Sequence, residues 1–409
     1  MRWDLYVRLS ALMFLEYAVW GAWAPVLATR LLGPLKMSGK QTGWIYATLP
    51  LACMFSPLVA GQLADKYFDT GWLLAIAHFA GAVLLFVAIR QKTFGRLFVV
   101  MLLCSTCYAA TLPLVNGLMF RHLPDAKLSP KIFIWAPVAW ALIGYFLSGW
   151  RSLRKSEGDG SDCLVLASVL SLLMALVCLV QPATPPQPSE GTPLFDVLAM
   201  LKDVPFAIFI GVSLVVAGMM QFYFLGTARF MQDVGITGKI VPAAMGLAQA
   251  AQALATWFVL KRFMDGLGVQ ATLVIGASCW LALYVVYALT KARWLIVVAQ
   301  VLHGLAYVLF IIAGQIYVDS VAAPAIRSSA QALIMLVTTG IGMFLGTQLA
   351  GVTMDKFAEN GRFQWRKIWA VPLAITLAGV LTLATVFQPA AAAKTPAKTS
   401  AQADAAQKT

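Results

Sequence analysis

The chain has 409 residues, of which 60% are hydrophobic and only 11% charged, and its formal net charge is +13. That apolar content exceeds what a soluble core of this size needs, so it excludes a water-soluble globular protein and places the chain in a bilayer. The basic residues sit in short caps between apolar runs and in the tail, which suits lipid headgroups and argues against a nucleic-acid partner.

Apolar runs of about 20 residues, each enough to cross a hydrocarbon layer of ~30 Å as a helix, recur along the sequence. They are continuous rather than alternating, which selects helices over a closed barrel. Twelve spans are predicted, at roughly 7–31, 41–63, 72–90, 97–120, 132–150, 162–181, 204–230, 240–261, 270–290, 294–318, 328–353 and 366–388. The first run is too long and too rich in tryptophan for a cleaved signal peptide, so it is expected to remain as a span.

The first span contains 11-ALMFLEYAVWGAW-23. Glu16 is the one acid near the middle of a predicted span, where a charged carboxylate costs roughly 2.5–3.5 kcal/mol. It must pair, face water or stay protonated. Trp20 and Trp23 follow at i+4 and i+7, on the same helical face. Glu16 and Trp20 are therefore candidates to line a cavity, with Glu16 binding substrate or carrying a proton. The alternative is a neutral, hydrogen-bonded packing group. After the second span comes the turn 61-GQLADKYF-68. Gly61 allows close helix approach, Asp65 can accept bonds at a neighbouring helix N-terminus, and Lys66 can pair across the molecule, so the turn reads as a conformational latch. His78, in the third span, has no polar stripe around it and reads as structural.

In the fourth span Tyr108 and Asn116 share a face, with Pro113 between them. Cys104 and Cys107 form a CxxC with no second pair, and the six cysteines read as small packing residues. Trp140 of the fifth span is a further aromatic candidate. A Pro-rich linker occupies 182–203, ending in a short amphipathic helix at 194–201. In the seventh span Gln221 and Tyr223 lie roughly 200° apart, so one cavity cannot take both; Tyr223 is preferred. Gln249, Gln252 and Thr256 share a face of the eighth span, and paired carboxamides offer donors and acceptors to a neutral polar ligand. Gln300, His303, Tyr307, Phe310 and Gly314 form a single face of the tenth, with His303 near mid-membrane. Gly342, Gly346 and Ala350 read as helix packing. The second and eleventh spans end alike, in 60-AGQLADKY-67 and 350-AGVTMDKF-357.

The turn at 61–68 resembles the signature Gly-x-Leu-Ala-Asp-Arg/Lys of the major facilitator superfamily. The segments 14-FLEYAVWGAW-23, 111-TLPLVNG-117 and 323-APAIRSSAQ-331 together resemble the nucleoside:proton symporter family of that superfamily, with Arg327 at the entrance of the eleventh helix as part of the latch. The resemblance implies an all-α membrane protein with twelve helices in two six-helix bundles. Its parts would be an N-terminal bundle at 1–181, a cytoplasmic linker at 182–203, a C-terminal bundle at 204–389 and a disordered tail at 390–409. It implies import of nucleosides across the cytoplasmic membrane by alternating access, coupled to protons. It also places both termini in the cytoplasm, where the nearly even division of the 30 Lys and Arg between the two faces decides nothing.

The family pattern is broken at several places. Phe133 stands where the family has an arginine, Gln252 where it has a glutamate, Val308 beside Tyr307 where it has an aspartate, and Tyr223 where it has an asparagine. These losses shift weight to Glu16, which the resemblance sets opposite His303 across the cavity as a proton-coupling pair. The substrate-binding set expected is Glu16, Trp20, Asn116, Trp140, Tyr223, Gln249, Gln252, His303 and Tyr307. No Walker loop, metal motif or catalytic constellation occurs, so an ATP-driven pump, an enzyme and a bound cofactor are not expected. The partners implied are a small solute, protons and lipid, with the chain acting as a monomer. The rival readings are another solute such as a sugar or nucleobase, with or without proton coupling, and a non-transporting sensor.

Overall fold

The computed structural model describes residues 1–125, 128–154, 159–186, 194–323 and 326–389. The linker segment 187–193, Pro324 and the tail from 390 lie outside the described residues.

Among the described residues the regular structure is helical apart from a hairpin of two two-residue strands, Ala358–Glu359 with Arg362–Phe363. In the N-terminal half the helices are α1 (Trp3–Trp23), α2 (Leu27–Leu32), α3 (Gly39–Cys53), α4 (Ser56–Lys66), α5 (Thr70–Arg90), α6 (Phe94–His122), α7 (Pro130–Phe133), α8 (Trp135–Leu153) and α9 (Asp162–Leu179). A short helix, α10 (Leu194–Ala199), falls where the amphipathic linker helix is expected. The C-terminal half contains α11 (Val204–Asp233), α12 (Val241–Phe258), α13 (Leu260–Leu289), α14 (Arg293–Val298), α15 (Gln300–Ala306), α16 (Ala313–Val321), α17 (Arg327–Met335), α18 (Met343–Lys356) and α19 (Trp365–Thr385).

Local chemistry explains the boundaries. Ser38 and Gln41 form a capping box that starts α3, with bonds of 3.1 and 3.0 Å. Asp69 caps α5 through the amide of Gly71 at 2.8 Å. Pro50 interrupts the hydrogen-bond ladder near the end of α3, and α4 begins three residues after α3 ends. At Gly268 the backbone turns to φ +77°, a left-handed state that favours glycine, and this makes the corner between the eighth and ninth predicted spans.

Among the described residues eleven helical segments are long and apolar enough to cross a membrane. Val241–Phe258 is a helix of 18 residues outside that set, its apolar character diluted by Gln249 and Gln252. The helix positions follow the sequence expectation; the count of twelve spans does not follow from length and apolarity alone.

The halves of the chain meet tightly at the membrane face opposite the N-terminus. A Cβ on Gly39 would lie 2.5 Å from the Gly351 carbonyl oxygen, and one on Gly43 2.6 Å from that of Thr347. Only glycine lets α3 and α18 approach so closely. Asp355 at the end of α18 accepts bonds from the amides of Gly39 and Lys40, thereby capping α3 from the other half. Gly144 meets the Pro242 carbonyl of α12 in the same way. Ser148 accepts from the Ala243 amide at 2.8 Å, and Arg151 donates to the Gly238 carbonyl at 3.0 Å while bound to Asp162. Gly346 packs on Gly218 of α11 and Gly342 on Leu214, so the small-residue stripe is a packing surface as predicted. Gly61 behaves differently from its expectation. A Cβ there would meet open space.

Candidate substrate site

A cavity of about 150 Å³ lies between the halves, walled by residues of α1, α6, α8, α11, α12 and the tenth and eleventh spans. Toward the sealed face it contracts to spaces of about 10 and 20 Å³ behind Trp140, Trp20 and Phe224. The closure is aromatic: Trp20 meets Trp140 edge-on at 5.3 Å, and Trp140 meets Phe224 at 6.1 Å.

Seven of the predicted residues line this cavity: Trp20, Asn116, Trp140, Gln249, Gln252, His303 and Tyr307. Its lining among the described residues contains no Asp, Glu, Lys or Arg. The wall offers indole faces, amides, hydroxyls and one imidazole, which suits a neutral ligand with an aromatic face and several polar edges. The buried side-chain oxygen of Asn116 has no hydrogen-bond partner in the protein.

His303 is held from three sides. Tyr223 stacks on its ring at 3.8 Å with a 14° tilt, Phe224 meets it edge-on at 5.8 Å, and Trp280 donates its indole N–H to Nδ1 at 3.1 Å. An indole nitrogen can only donate, so Nδ1 accepts and the ring hydrogen sits on Nε2. That Nε2–H has no protein partner, on a ring that borders the cavity. His303 is thereby held in one tautomer, with a buried, unpartnered N–H.

Two expectations are corrected here. Tyr223 does not line the main cavity. It is 1% exposed and its hydroxyl donates to Gln300 at 2.9 Å; it acts behind His303 as a support. Gln300 is likewise consumed internally, donating to Tyr287 and to the Ile296 carbonyl. Glu16 is not in the cavity either, and it does not pair with His303. Each i+4 step along a helix drifts by about 40°, so while Tyr17 and Trp20 face the cavity, Glu16 turns toward α5 and α6. There it is fully buried, with Oε2 at 2.9 Å from Nε2 of His78 and Oε1 accepting from Thr111 at 2.8 Å. His78, read from the sequence as structural, is thus the partner of the one mid-span acid.

The tenth span also departs from the regular helix assumed for it. Residues Tyr307–Ile312 form a π-helical turn, which inserts an extra residue into the register. Downstream of Tyr307 the cavity is therefore lined by Ile311 and Gln315, while Phe310 is in the core and Gly314 packs on Phe209. A second π-helical stretch, Leu336–Gly342, presents Thr338 and Thr339 to the cavity. Tyr17, Phe224, Gln315, Thr338 and Thr339 are lining residues that the sequence pattern did not single out. Of the expected latch, the buried Nε of Arg327 has no hydrogen-bond partner, in keeping with the open space beside Gly61 on the same face.

The model of the family described as Nucleoside H+ symporter matches residues 3–392 of the chain. The chain belongs to that family. The nucleoside permease NupG of Escherichia coli (strain K12) is 26% identical over 390 residues, covering 90% of this chain and 92% of the permease. The xanthosine permease of the same organism is 25% identical, with 90% and 92% covered. The crystal structure of the nucleoside transporter NupG superposes with a TM-score of 0.83 at 24% identity over 94% of this chain and 99% of that one. A D-xylose–proton symporter superposes at 0.70 with 12% identity, over 95% and 99%. The latter two likenesses establish the fold. As a member of this family the chain is a transporter and not an enzyme.

Proposed function

We propose that the chain imports nucleosides together with protons across the cytoplasmic membrane by alternating access, as a monomer. In this reading Val241–Phe258 is the remaining span, which makes twelve helices in two six-helix bundles, 1–181 and 204–389, joined by the linker 182–203. Both termini are cytoplasmic. The conformation is then inward-facing, with Asp355 and the glycine contacts of α3 and α18 sealing the outer side.

The observation that carries the substrate assignment is the uncharged cavity in which Trp20 and Trp140 flank Gln249, Gln252, Asn116 and the Nε2–H donor of His303. A nucleoside base is flat, neutral and edged with acceptors and donors. It can stack on indole while carboxamides and imidazole read its edges. The sugar hydroxyls would fall to Gln315, Thr338 and Thr339. Outward opening requires Gly61, Asp65, Lys66 and Arg327 to assemble the latch on the inner side, as Asp355 does now on the outer one.

Uptake of labelled uridine and adenosine into proteoliposomes, with and without an inward proton gradient, tests the assignment. Uptake should be driven by the gradient, competed by unlabelled nucleosides and not by sugars. Competition by sugars or free nucleobases alone would reassign the substrate, and absence of any flux would overturn the proposal.

A further inference from the structure

We propose that Glu16 and His78, one layer behind the cavity wall, form the proton-binding site of the transport cycle, a deepening that rests on the nucleoside–proton reading above.

The pair is buried on both sides, at 0% and 2% exposure, and its Oε2–Nε2 separation is 2.9 Å. The groups around it distinguish it from a fixed ion pair. Thr111 Oγ1 lies 2.8 Å from Glu16 Oε1 and 2.6 Å from the Tyr108 carbonyl. A hydroxyl has one hydrogen, so it serves one of these at a time. When it points to Glu16, that oxygen carries no proton and accepts. When it points to the Tyr108 carbonyl, Glu16 Oε1 carries a proton and donates it to Thr111. Ser171 does the same at the other end. Its Oγ is 2.8 Å from the His78 carbonyl and 3.3 Å from His78 Nδ1, so its orientation sets whether Nδ1 donates or accepts. One proton can therefore bind or leave with every polar atom keeping a partner. It arrives from water as the Glu16 O–H bond forms and returns to water as that bond breaks, with no other reactant.

The remaining titratable groups near the pair are Tyr17 on α1, Tyr108 and Cys104 on α6, and Cys178 on α9. None brings a fixed opposite charge to pin the carboxylate. A space of about 10 Å³ beside His78, Ser105, Tyr108 and Ser171 is on the scale one water needs.

The site is joined to the cavity by two helices. Tyr108 donates to the Glu16 carbonyl at 2.8 Å, and its ring stands 6.3 Å from Trp20 in the cavity wall. Thr111 is followed directly by Leu112, also in the wall. A change of proton state alters the α1–α6 bonds, and these same helices carry Tyr17, Trp20 and Asn116 to the solute. Among the described residues the cavity lining holds no carboxylate to compete for this role.

The test compares wild type, Glu16→Gln and Thr111→Val in proteoliposomes. Exchange of labelled uridine at equal concentration on both sides reports solute movement alone, and accumulation against a gradient reports coupling. Glu16→Gln should retain exchange and lose gradient-driven accumulation; Thr111→Val should shift the pH at which exchange is fastest. Accumulation by Glu16→Gln equal to wild type would overturn the proposal. If wild type itself moves no uridine, the nucleoside reading fails. Infrared difference spectra on a pH jump then decide the proton site separately: a carboxylic-acid band present in wild type and absent in Glu16→Gln supports it, and an unchanged spectrum in the two refutes it. Should Glu16→Gln not fold, Thr111→Val decides the same question through its pH profile, which a purely structural hydroxyl would leave in place.

Discussion

His78 and His303 are both buried in the membrane interior, one in each half of the chain, yet their surroundings give them opposite characters. His78 faces an acid, Glu16, and hydroxyls that can reverse their bonds. His303 receives a bond from Trp280, whose N–H cannot reverse, and is clamped by the stacked ring of Tyr223. The first arrangement tolerates a change in proton count; the second fixes one tautomer. The difference teaches that a buried histidine takes its role from whether its partners can exchange donor for acceptor.

The comparison can be broken most forcefully at His78. His78→Ala leaves Glu16 buried without its partner and is expected to cost about 3–5 kcal/mol of stability, read from unfolding in detergent. A loss below about 1 kcal/mol would mean that the pair behaves like an exposed one. Next in size, Trp280→Phe orphans Nδ1 of His303, and a buried unsatisfied group costs about 1–3 kcal/mol. The same change frees the Nδ1 lone pair to take up a proton from water, so uridine binding should become pH-sensitive in that variant. Binding unaffected by pH would show that the indole is not what fixes His303.

His303→Phe keeps the stacked ring and removes the donor. Uridine affinity measured by calorimetry should fall about tenfold, the equivalent of 1.4 kcal/mol, and the Trp280 N–H left without its acceptor should cost about 1–3 kcal/mol of stability. The smallest effect belongs to the seal. Asp355→Asn weakens a charged cap worth roughly 0.5–2 kcal/mol, and cysteine labelling at the α3 N-terminus should quicken. Labelling that stays as slow as in wild type would place the closure in the glycine contacts alone.

The helices are legible in the sequence because each carries a long apolar run, and the capping residues Ser38 and Asp69 mark where two of them begin. The eighth span is legible by position yet lies outside the set defined by apolarity, since Gln249 and Gln252 face the cavity at the expense of hydropathy. Around the cavity, the expected residues that lie on regular helices do line it: Trp20, Asn116, Trp140, Gln249 and Gln252. The departures have two causes. A π-helical turn at Tyr307–Ile312 changes which residues follow Tyr307 into the cavity, and nothing in the local composition announces it. Pairings between distant helices, Glu16 with His78 and Trp280 with His303, depend on which way each helix is rotated, and a drift of about 40° per i+4 step carries Glu16 behind the wall. The repeated A-G-x-x-x-D-K-aromatic ending does hold information, since its second copy supplies Asp355.

That capping bond has a bearing on how dilute a solute can be captured. A carrier binds from a given side only in the fraction of molecules open to that side, so its apparent dissociation constant there is the intrinsic one divided by that fraction. Each ~1.4 kcal/mol by which the Asp355 closure favours the sealed state therefore raises the concentration needed on the sealed side tenfold. One carboxylate oxygen pair resting on the amides of Gly39 and Lys40 thus sets a threshold for scavenging without ever touching the solute.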